Sequence, residues 1–347
     1  MIKIGSKTIS ENSPVFIIAE AGVNHNGDVE IAKKMVDAAC EAGADAIKFQ
    51  IFKTDSLVIK NADKAEYQKL NTGIDETQYD MLKKLELSYE EHFKIMEYCK
   101  ERNIIYLSTP FDYESVDALE ELNVCAYKIS SGDITNLPFL KYIASKGKPM
   151  IVSTGMSNLG EVEDAIEIIK STGNEEIILL HCTSSYPTEY HDVNLKSMIT
   201  LKNAFQIPVG YSDHTLGIEV PIAAVSLGAR IIEKHFTLDR TMPGPDHKAS
   251  LEPAELKQMI ISIRNIEKAL GDGIKKCTKS EENVKKIARK SIVAASYIPK
   301  GTVIEENMLT IKRPGTGIPP KFIDYLIGKK AKIDILKDTV LDLSMVE

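Results

Sequence analysis

The sequence predicts an α/β protein: a (β/α)8 barrel (TIM barrel) followed by a small, mostly β domain. Three observations carry this. From about residue 15 to about residue 270, short apolar runs alternate with longer segments of helical period, which implies parallel βα units. Eight such units occur, the number that closes a barrel, within a length near the ~250 residues usual for one. After about residue 270 the rhythm stops.

Taken in order, "IKIGSKTIS" reads as a hairpin able to plug the bottom of the barrel. The strands are "VFIIAE" (15 to 20), "AIKFQ" (46 to 50), "IIYLSTP" (104 to 110), "AYKISS" (126 to 131), "PMIVSTG" (149 to 155), "IILLHC" (177 to 182), "IPVGYSDH" (207 to 214) and "ARIIEKHF" (229 to 236). Helices such as "DVEIAKKMVDAACEAG" and "LGEVEDAIEIIKSTG" lie between them and end at Gly, as helices prefer to. An open doubly wound sheet is the competing layout, but no G-x-G-x-x-G follows the first strand and no Walker loop occurs. The expected division is a barrel over 1–270, a polar linker over 271–285 leading into a short helix, and a second domain over 286–347. That second domain is near the lower size limit for independent stability.

The composition, with 43% hydrophobic and 27% charged residues, excludes a largely disordered chain. A net charge of -7 argues against a nucleic-acid or anionic-membrane surface, so any anion site must be built from a few placed lysines. The five scattered cysteines, with no C-x-x-C, fit a reducing compartment. No run approaches the ~20 apolar residues of a bilayer span, and a soluble cytoplasmic protein is expected.

Barrel enzymes place reactive groups at the C-terminal ends of their strands. Here those ends carry Glu20, Lys48 with Gln50, Thr109, Lys128 with Ser131, Ser153, His181, Ser212 with His214, and Glu233 with His235. Positions i and i+2 of a strand share a face, so each pair can point into the barrel mouth. Burying an ammonium without a counter-charge is costly. Lys48 and Lys128 therefore either meet an anionic ligand, helped by the hydroxyls of Thr109, Ser131, Ser153 and Ser212, or pair with protein carboxylates or reach water. His214 and His235 end the seventh and eighth strands and are either hydrogen-bonded structural residues or a pair converging on a divalent metal such as Mn²⁺, Zn²⁺ or Fe²⁺. His25 in "NHNGD" orders a loop or belongs to the site, whereas His92 and His191 read as surface residues and Cys182 as buried and inert.

The segments "AEAGVNHNGD", "IKFQ", "LSTPFD", "KISSGDITN", "IVSTGM", "GYSDHTLG", "IEKHFTLD" and "GPDHKAS" together resemble the sialic acid synthase family, and "IPKGTVI" with "KRPGTGI" resembles its antifreeze-like (SAF) domain. The resemblance implies condensation of phosphoenolpyruvate with N-acetylmannosamine in its open-chain aldehyde form, releasing phosphate by C–O cleavage. An alternative acceptor is a diacetamido sugar leading to N,N'-diacetyllegionaminate or pseudaminate. It assigns Lys48, Thr109, Lys128, Ser131, Ser153, Ser184 and Ser212 to phosphoenolpyruvate. His214 and His235 would hold Mn²⁺, with Mg²⁺ or Co²⁺ as substitutes, and Glu20 would transfer a proton. Gln50, Asp133, Tyr186, Asp246 and Arg313 match sugar-contacting positions; Asp133 stands where Glu is usual, and Ser184 where Asn or Thr occurs. The family's domain-swapped homodimer would carry Arg313 into the partner's site. Two rival readings are a Schiff-base aldolase, which needs a neutral lysine, and a non-enzymatic ice- or carbohydrate-binding protein.

Overall fold

The computed structural model describes residues 1–347. It begins with an antiparallel hairpin, β1 (Ile2–Ile4) and β2 (Lys7–Ile9). Eight parallel strands follow: β3 (Phe16–Gly22), β4 (Ala46–Ile51), β5 (Ile105–Pro110), β6 (Tyr127–Ile129), β7 (Met150–Ser153), β8 (Ile177–Cys182), β9 (Val209–Asp213) and β10 (Ile231–His235). Their hydrogen-bonded order is β5-β4-β3-β10-β9-β8-β7-β6, and β5 packs beside β6 to close the ring. A helix follows each strand: α1 (Val29–Ala42) after β3, then α5 (Tyr89–Glu101) after β4, preceded by the short α2 (Thr54–Leu57), α3 (Glu66–Thr72) and α4 (Gln78–Leu85). The circuit continues with α6 (Tyr113–Glu121), α7 (Leu137–Ala144), α8 (Leu159–Lys170), α9 (Lys196–Phe205), α10 (Glu219–Ser226) and α11 (Pro253–Leu270).

Local chemistry accounts for these elements. In α1, Ala32, Met35, Val36 and Ala39 recur at helical spacing and are buried, Asp28 caps the first turn, and Gly43 ends the helix at φ +89°. The strands are buried on both faces, as parallel strands under helices must be. In β3, Ile17, Ala19 and Ala21 pack outward against the helices, while Phe16 and Ile18 face the barrel interior with Leu107, Ile151, Ile178 and Ile231. Ile2, Ile4 and Ile9 of the hairpin join that interior cluster, so the hairpin does plug the barrel. A Cβ on Gly210 would lie 2.5 Å from the carbonyl oxygen of Ile231, so the barrel leaves no room for a side chain there.

Strand parity corrects one reading and the buried stripe of α5 corrects another. His181 shares the outward parity of Leu179, and its Nε2 lies 2.7 Å from the carbonyl of Val193 rather than in the mouth. His92 is not on the surface: it occupies the buried stripe of α5 with Ile95, Met96 and Cys99, its Nδ1 2.9 Å from the Tyr106 hydroxyl.

The chain divides into two units, Met1–Gly271 and Asp272–Glu347. The second opens with a 3-10 turn (Lys279–Glu281) and α12 (Glu282–Ala288), so a helix occupies the end of the segment expected as linker. It continues with the antiparallel pair β11 (Ser291–Ala294) and β12 (Leu309–Lys312) and the single turn α13 (Ile323–Leu326), around a core that includes Ile292, Ile298, Ile304, Leu326 and Leu341. All five cysteines are free. No helix is long and apolar enough to cross a membrane.

Candidate active site

The inward parity that puts Phe16 and Ile18 in the core puts Glu20 above them, at the C-terminal end of β3. The same rule carries Lys48 and Gln50 on β4, Lys128 on β6, Ser153 on β7, Ser212 and His214 at the end of β9, and Glu233 and His235 on β10 into one cavity of about 420 Å³. Thr109, Ser131, Ser184 and Tyr186 complete the set of expected residues on its wall.

Three expected residues are not part of that wall. Asp133 lies just past the cavity on the 3-10 turn Ser131–Asp133, where burial pushes its carboxyl up to about 6. Asp246 is buried in the loop after β10, where desolvation likewise raises it to about 6, and its charge opposes ionisation of Tyr67 and Tyr186. Arg313 is exposed in the second unit. His25 is buried outside the cavity, its Nδ1 accepting from the Gly27 amide at 3.0 Å, which is the loop-ordering role.

The counter-charge of the lysines comes from the protein. Lys48 Nζ stands 2.6 Å from Glu20 Oε2 and 3.8 Å from Glu233 Oε2, and Lys128 Nζ stands 3.4 Å from Glu233 Oε1. Thr109 accepts from Lys48 at 2.9 Å and Ser153 from Lys128 at 2.8 Å. Glu233 was visible in the sequence only as the i-2 neighbour of His235 and had no role there; here it is the central carboxylate, also accepting from Ser212 at 2.8 Å.

The two acids behave differently. Against burial, which would raise it, the lysines and Ser212 hold the Glu233 carboxyl down to about 2, whereas burial, opposed by Lys48 and aided by Glu233, pushes Glu20 up to about 7. The cluster therefore sets two lysines against one firmly held carboxylate and a second carboxyl that burial raises toward neutrality. It has room for added negative charge. Burial lowers Lys128, while Lys48 is raised by its two carboxylates and stays an ammonium, contrary to what a Schiff-base lysine needs. A Cβ on Gly155 would lie 2.8 Å from Ser131 Oγ and 3.0 Å from Cys182 Sγ, so glycine lets the backbone line this corner.

Beside the ionic cluster stand the two imidazoles, ring centres 5.5 Å apart. Nδ1 of His214 lies 2.7 Å from the Thr183 carbonyl, which fixes the proton there and leaves Nε2 a free lone pair. Burial drives His235 well below its usual range, so it too is neutral, and its Nδ1 has no partner in the chain. Two neutral buried imidazoles could supply two ligands to a divalent transition metal, and no third His, Cys, Asp or Glu side chain joins them in a ligating group, so the remaining positions would fall to water and substrate. Tyr186 covers them, 4.1 Å from the His214 ring centre and 5.8 Å from that of His235.

The segment between β4 and α5 supplies Phe52, Leu57, Val58, Tyr67, Gln68, Gln78 and Leu82 to the cavity, none of them a candidate in the sequence. Its length was the available signal, since long βα connections in barrels carry function.

Comparison with known proteins follows the same outline. A model described as the NeuB family matches residues 35–275, and one described as the SAF domain matches residues 289–347. An N,N'-diacetyllegionaminic acid synthase of Campylobacter jejuni is 52% identical over 94% of this chain and 98% of its own. The enzyme of the same name from Legionella pneumophila is 50% identical over 97% and 96%. The crystal structure of an N-acetylneuraminic acid (sialic acid) synthetase from Leptospira borgpetersenii superposes with a TM-score of 0.72 at 39% identity, over 82% of this chain and 94% of that one.

Proposed function

Because the chain belongs to the NeuB family and carries a SAF domain after its barrel, we propose that it condenses phosphoenolpyruvate with a 2,4-diacetamido-trideoxyhexose, as an N,N'-diacetyllegionaminate synthase. The observation that carries the reaction is the cluster of Lys48, Lys128, Glu20 and Glu233 beside the imidazoles of His214 and His235. The expectation that N-acetylmannosamine is the acceptor gives way. Identity is 52% and 50% to two diacetyllegionaminic acid synthases against 39% to an N-acetylneuraminic acid synthetase.

In this reading Lys48 and Lys128 hold the anionic groups of phosphoenolpyruvate, with Thr109, Ser131, Ser153, Ser184 and Ser212 as neutral donors. His214 and His235 would hold a divalent metal, Mn²⁺ with Mg²⁺ or Co²⁺ as substitutes, which supplies an electrophile for the acceptor's carbonyl oxygen. C3 of phosphoenolpyruvate bonds to the aldehyde carbon, water adds at C2, and the C2–O bond to phosphate breaks, giving the nine-carbon acid and inorganic phosphate. Glu20, titrating near neutrality, takes one proton from that water and returns it to the departing phosphate oxygen, and the water's second proton, lost as the C2 hydroxyl becomes the ketone, ends on the former aldehyde oxygen. Gln50 and Tyr186 line the acceptor side, and Asp133 and Asp246, outside the cavity wall, are the carboxylates this reading assigns to the sugar. A domain-swapped homodimer would bring Arg313 of one subunit to the acceptor in its partner. With phosphoenolpyruvate as substrate, the protein works in the cytoplasm.

The test is phosphate release with phosphoenolpyruvate and a panel of acceptors. The diacetamido trideoxy sugar should be turned over with the highest kcat/KM. A preference for N-acetylmannosamine would restore the neuraminate reading.

A further inference from the structure

The cavity has two chemically distinct halves. Its floor is the ionic cluster and the hydroxyls; its rim between β4 and α5 is mostly apolar, with Gln68 and Gln78 as its polar members. Leu57, Val58, Leu82 and the ring of Tyr67 all line that rim and all come from the segment that precedes α5. Leu57 and Leu82 pack on a satellite cluster of Val23, Phe52, Met81 and Leu85, separate from the barrel cores, which gives the rim its own support.

Tyr67 is the member with the most specific placement. Its ring stacks on that of Tyr186 with centres 5.0 Å apart and an interplanar angle of 29°, and Tyr186 in turn covers His214. The rings thus step outward from the imidazoles: His214, then Tyr186, then Tyr67. Helix α3, which carries Tyr67, buries none of its residues fully and is held by tethers. Asn71 Nδ2 donates to the Pro245 carbonyl at 2.6 Å, next to Asp246, and the buried Lys64 ammonium reaches Thr72 Oγ1 at 2.9 Å and the Ile74 carbonyl at 2.6 Å. Asn71 thus ties the C-terminal end of α3 to the loop after β10, the Lys64 bonds brace the segment internally, and the stack on Tyr186 holds Tyr67 itself.

We infer that Tyr67, with Leu57, Val58 and Leu82, forms the pocket that selects the remote end of the acceptor, taking the C6 methyl and the 4-acetamido methyl of a deoxy sugar in preference to hydroxyls. This rests on the proposed reaction, in which the aldehyde end lies at the imidazoles, so C4 to C6 extend outward along the ring series. An apolar wall leaves a hydroxyl without a hydrogen-bond partner, and it recognises a methyl by contact. Gln68 and Gln78, on the same rim, are placed to meet the amide of the 4-acetamido group.

The experiment compares kcat/KM for the 2,4-diacetamido trideoxy sugar and for N-acetylmannosamine in wild type, Tyr67→Ala, Tyr67→Phe and Leu57→Asn, with the KM for phosphoenolpyruvate measured alongside. Tyr67→Ala and Leu57→Asn should each reduce the preference for the deoxy sugar about tenfold or more. The phosphoenolpyruvate KM should stay within about twofold, and Tyr67→Phe should keep the preference. If Tyr67→Ala does not fold, Leu57→Asn carries the test. A wild type that prefers the diacetamido sugar, with an unchanged preference in both variants, overturns this pocket and leaves the proposed reaction standing. A wild type that prefers N-acetylmannosamine overturns both.

Discussion

Lys234 and Asp213 are register partners on β10 and β9, and they form an ion pair at 2.5 Å with no exposed side-chain surface on either. The pair faces the helical layer, and Asp213 is also bonded by the Tyr211 and Thr215 hydroxyls. One residue further along each strand, on the opposite face, stand His235 and His214. The register this pair shares sets the imidazoles on the opposite face 5.5 Å apart.

Removing one partner of such a buried pair leaves the other uncompensated. Lys234→Met should lower unfolding free energy in urea by ~3–5 kcal/mol. The double variant Lys234→Met/Asp213→Leu should recover part of that loss. In calorimetric titrations of stripped protein, Mn²⁺ binding should be absent in His214→Ala and weakened in Lys234→Met. Wild-type stability and metal affinity in Lys234→Met would contradict this account of the pair.

Glu20 gives a pH signature. Its folded value of about 7 lies above the usual 4.5, so the native state keeps a proton that the unfolded chain releases between those values. The stability contributed by this group is full below the unfolded value and is lost as pH rises through about 7. Wild type should therefore lose stability relative to Glu20→Gln between about pH 5 and about pH 8, measured by urea unfolding. Parallel pH profiles would contradict the raised value.

Lys128 bridges Ser153 and Glu233, so its removal takes a cation from the anion site and leaves Glu233 with the distant Lys48. Lys128→Ala should weaken phosphoenolpyruvate binding by ~3 kcal/mol, roughly a hundredfold. Unchanged affinity by calorimetry would remove this lysine from the site.

The proposed contribution of a partner subunit is tested by mixing subunits. Arg313→Ala and Lys128→Ala are each expected to be impaired, and a mixture that has exchanged subunits should regain part of the lost activity. One of its two sites then has an intact lysine from one chain and an intact arginine from the other. Demonstrated exchange without recovery would mean that Arg313 does not act across an interface.

Most of the barrel and its floor was legible because period-2 alternation decides both. Once Ile18 is inward, Glu20 must be, and Lys48, Lys128, Ser212, Glu233 and His235 follow by the same parity. His181 was misread where strand-end position was used without parity. The counter-charge of the lysines depends on distances between β3, β4, β6 and β10, which sequence leaves open. The rim around Tyr67 was illegible for another reason: α3 has no buried stripe, so no hydrophobic period marks it.

In the proposed reaction this cavity joins phosphoenolpyruvate to an amino sugar with cleavage of the C2–O bond. This is tested most directly by supplying phosphoenolpyruvate labelled with ¹⁸O at the bridging oxygen, together with the 2,4-diacetamido trideoxy sugar and Mn²⁺, and analysing the products by mass spectrometry. The account predicts one labelled phosphate for each nine-carbon acid formed, with no label in the acid. Label retained at C2 of the acid, or a nine-carbon acid made from pyruvate without phosphate release, would contradict it.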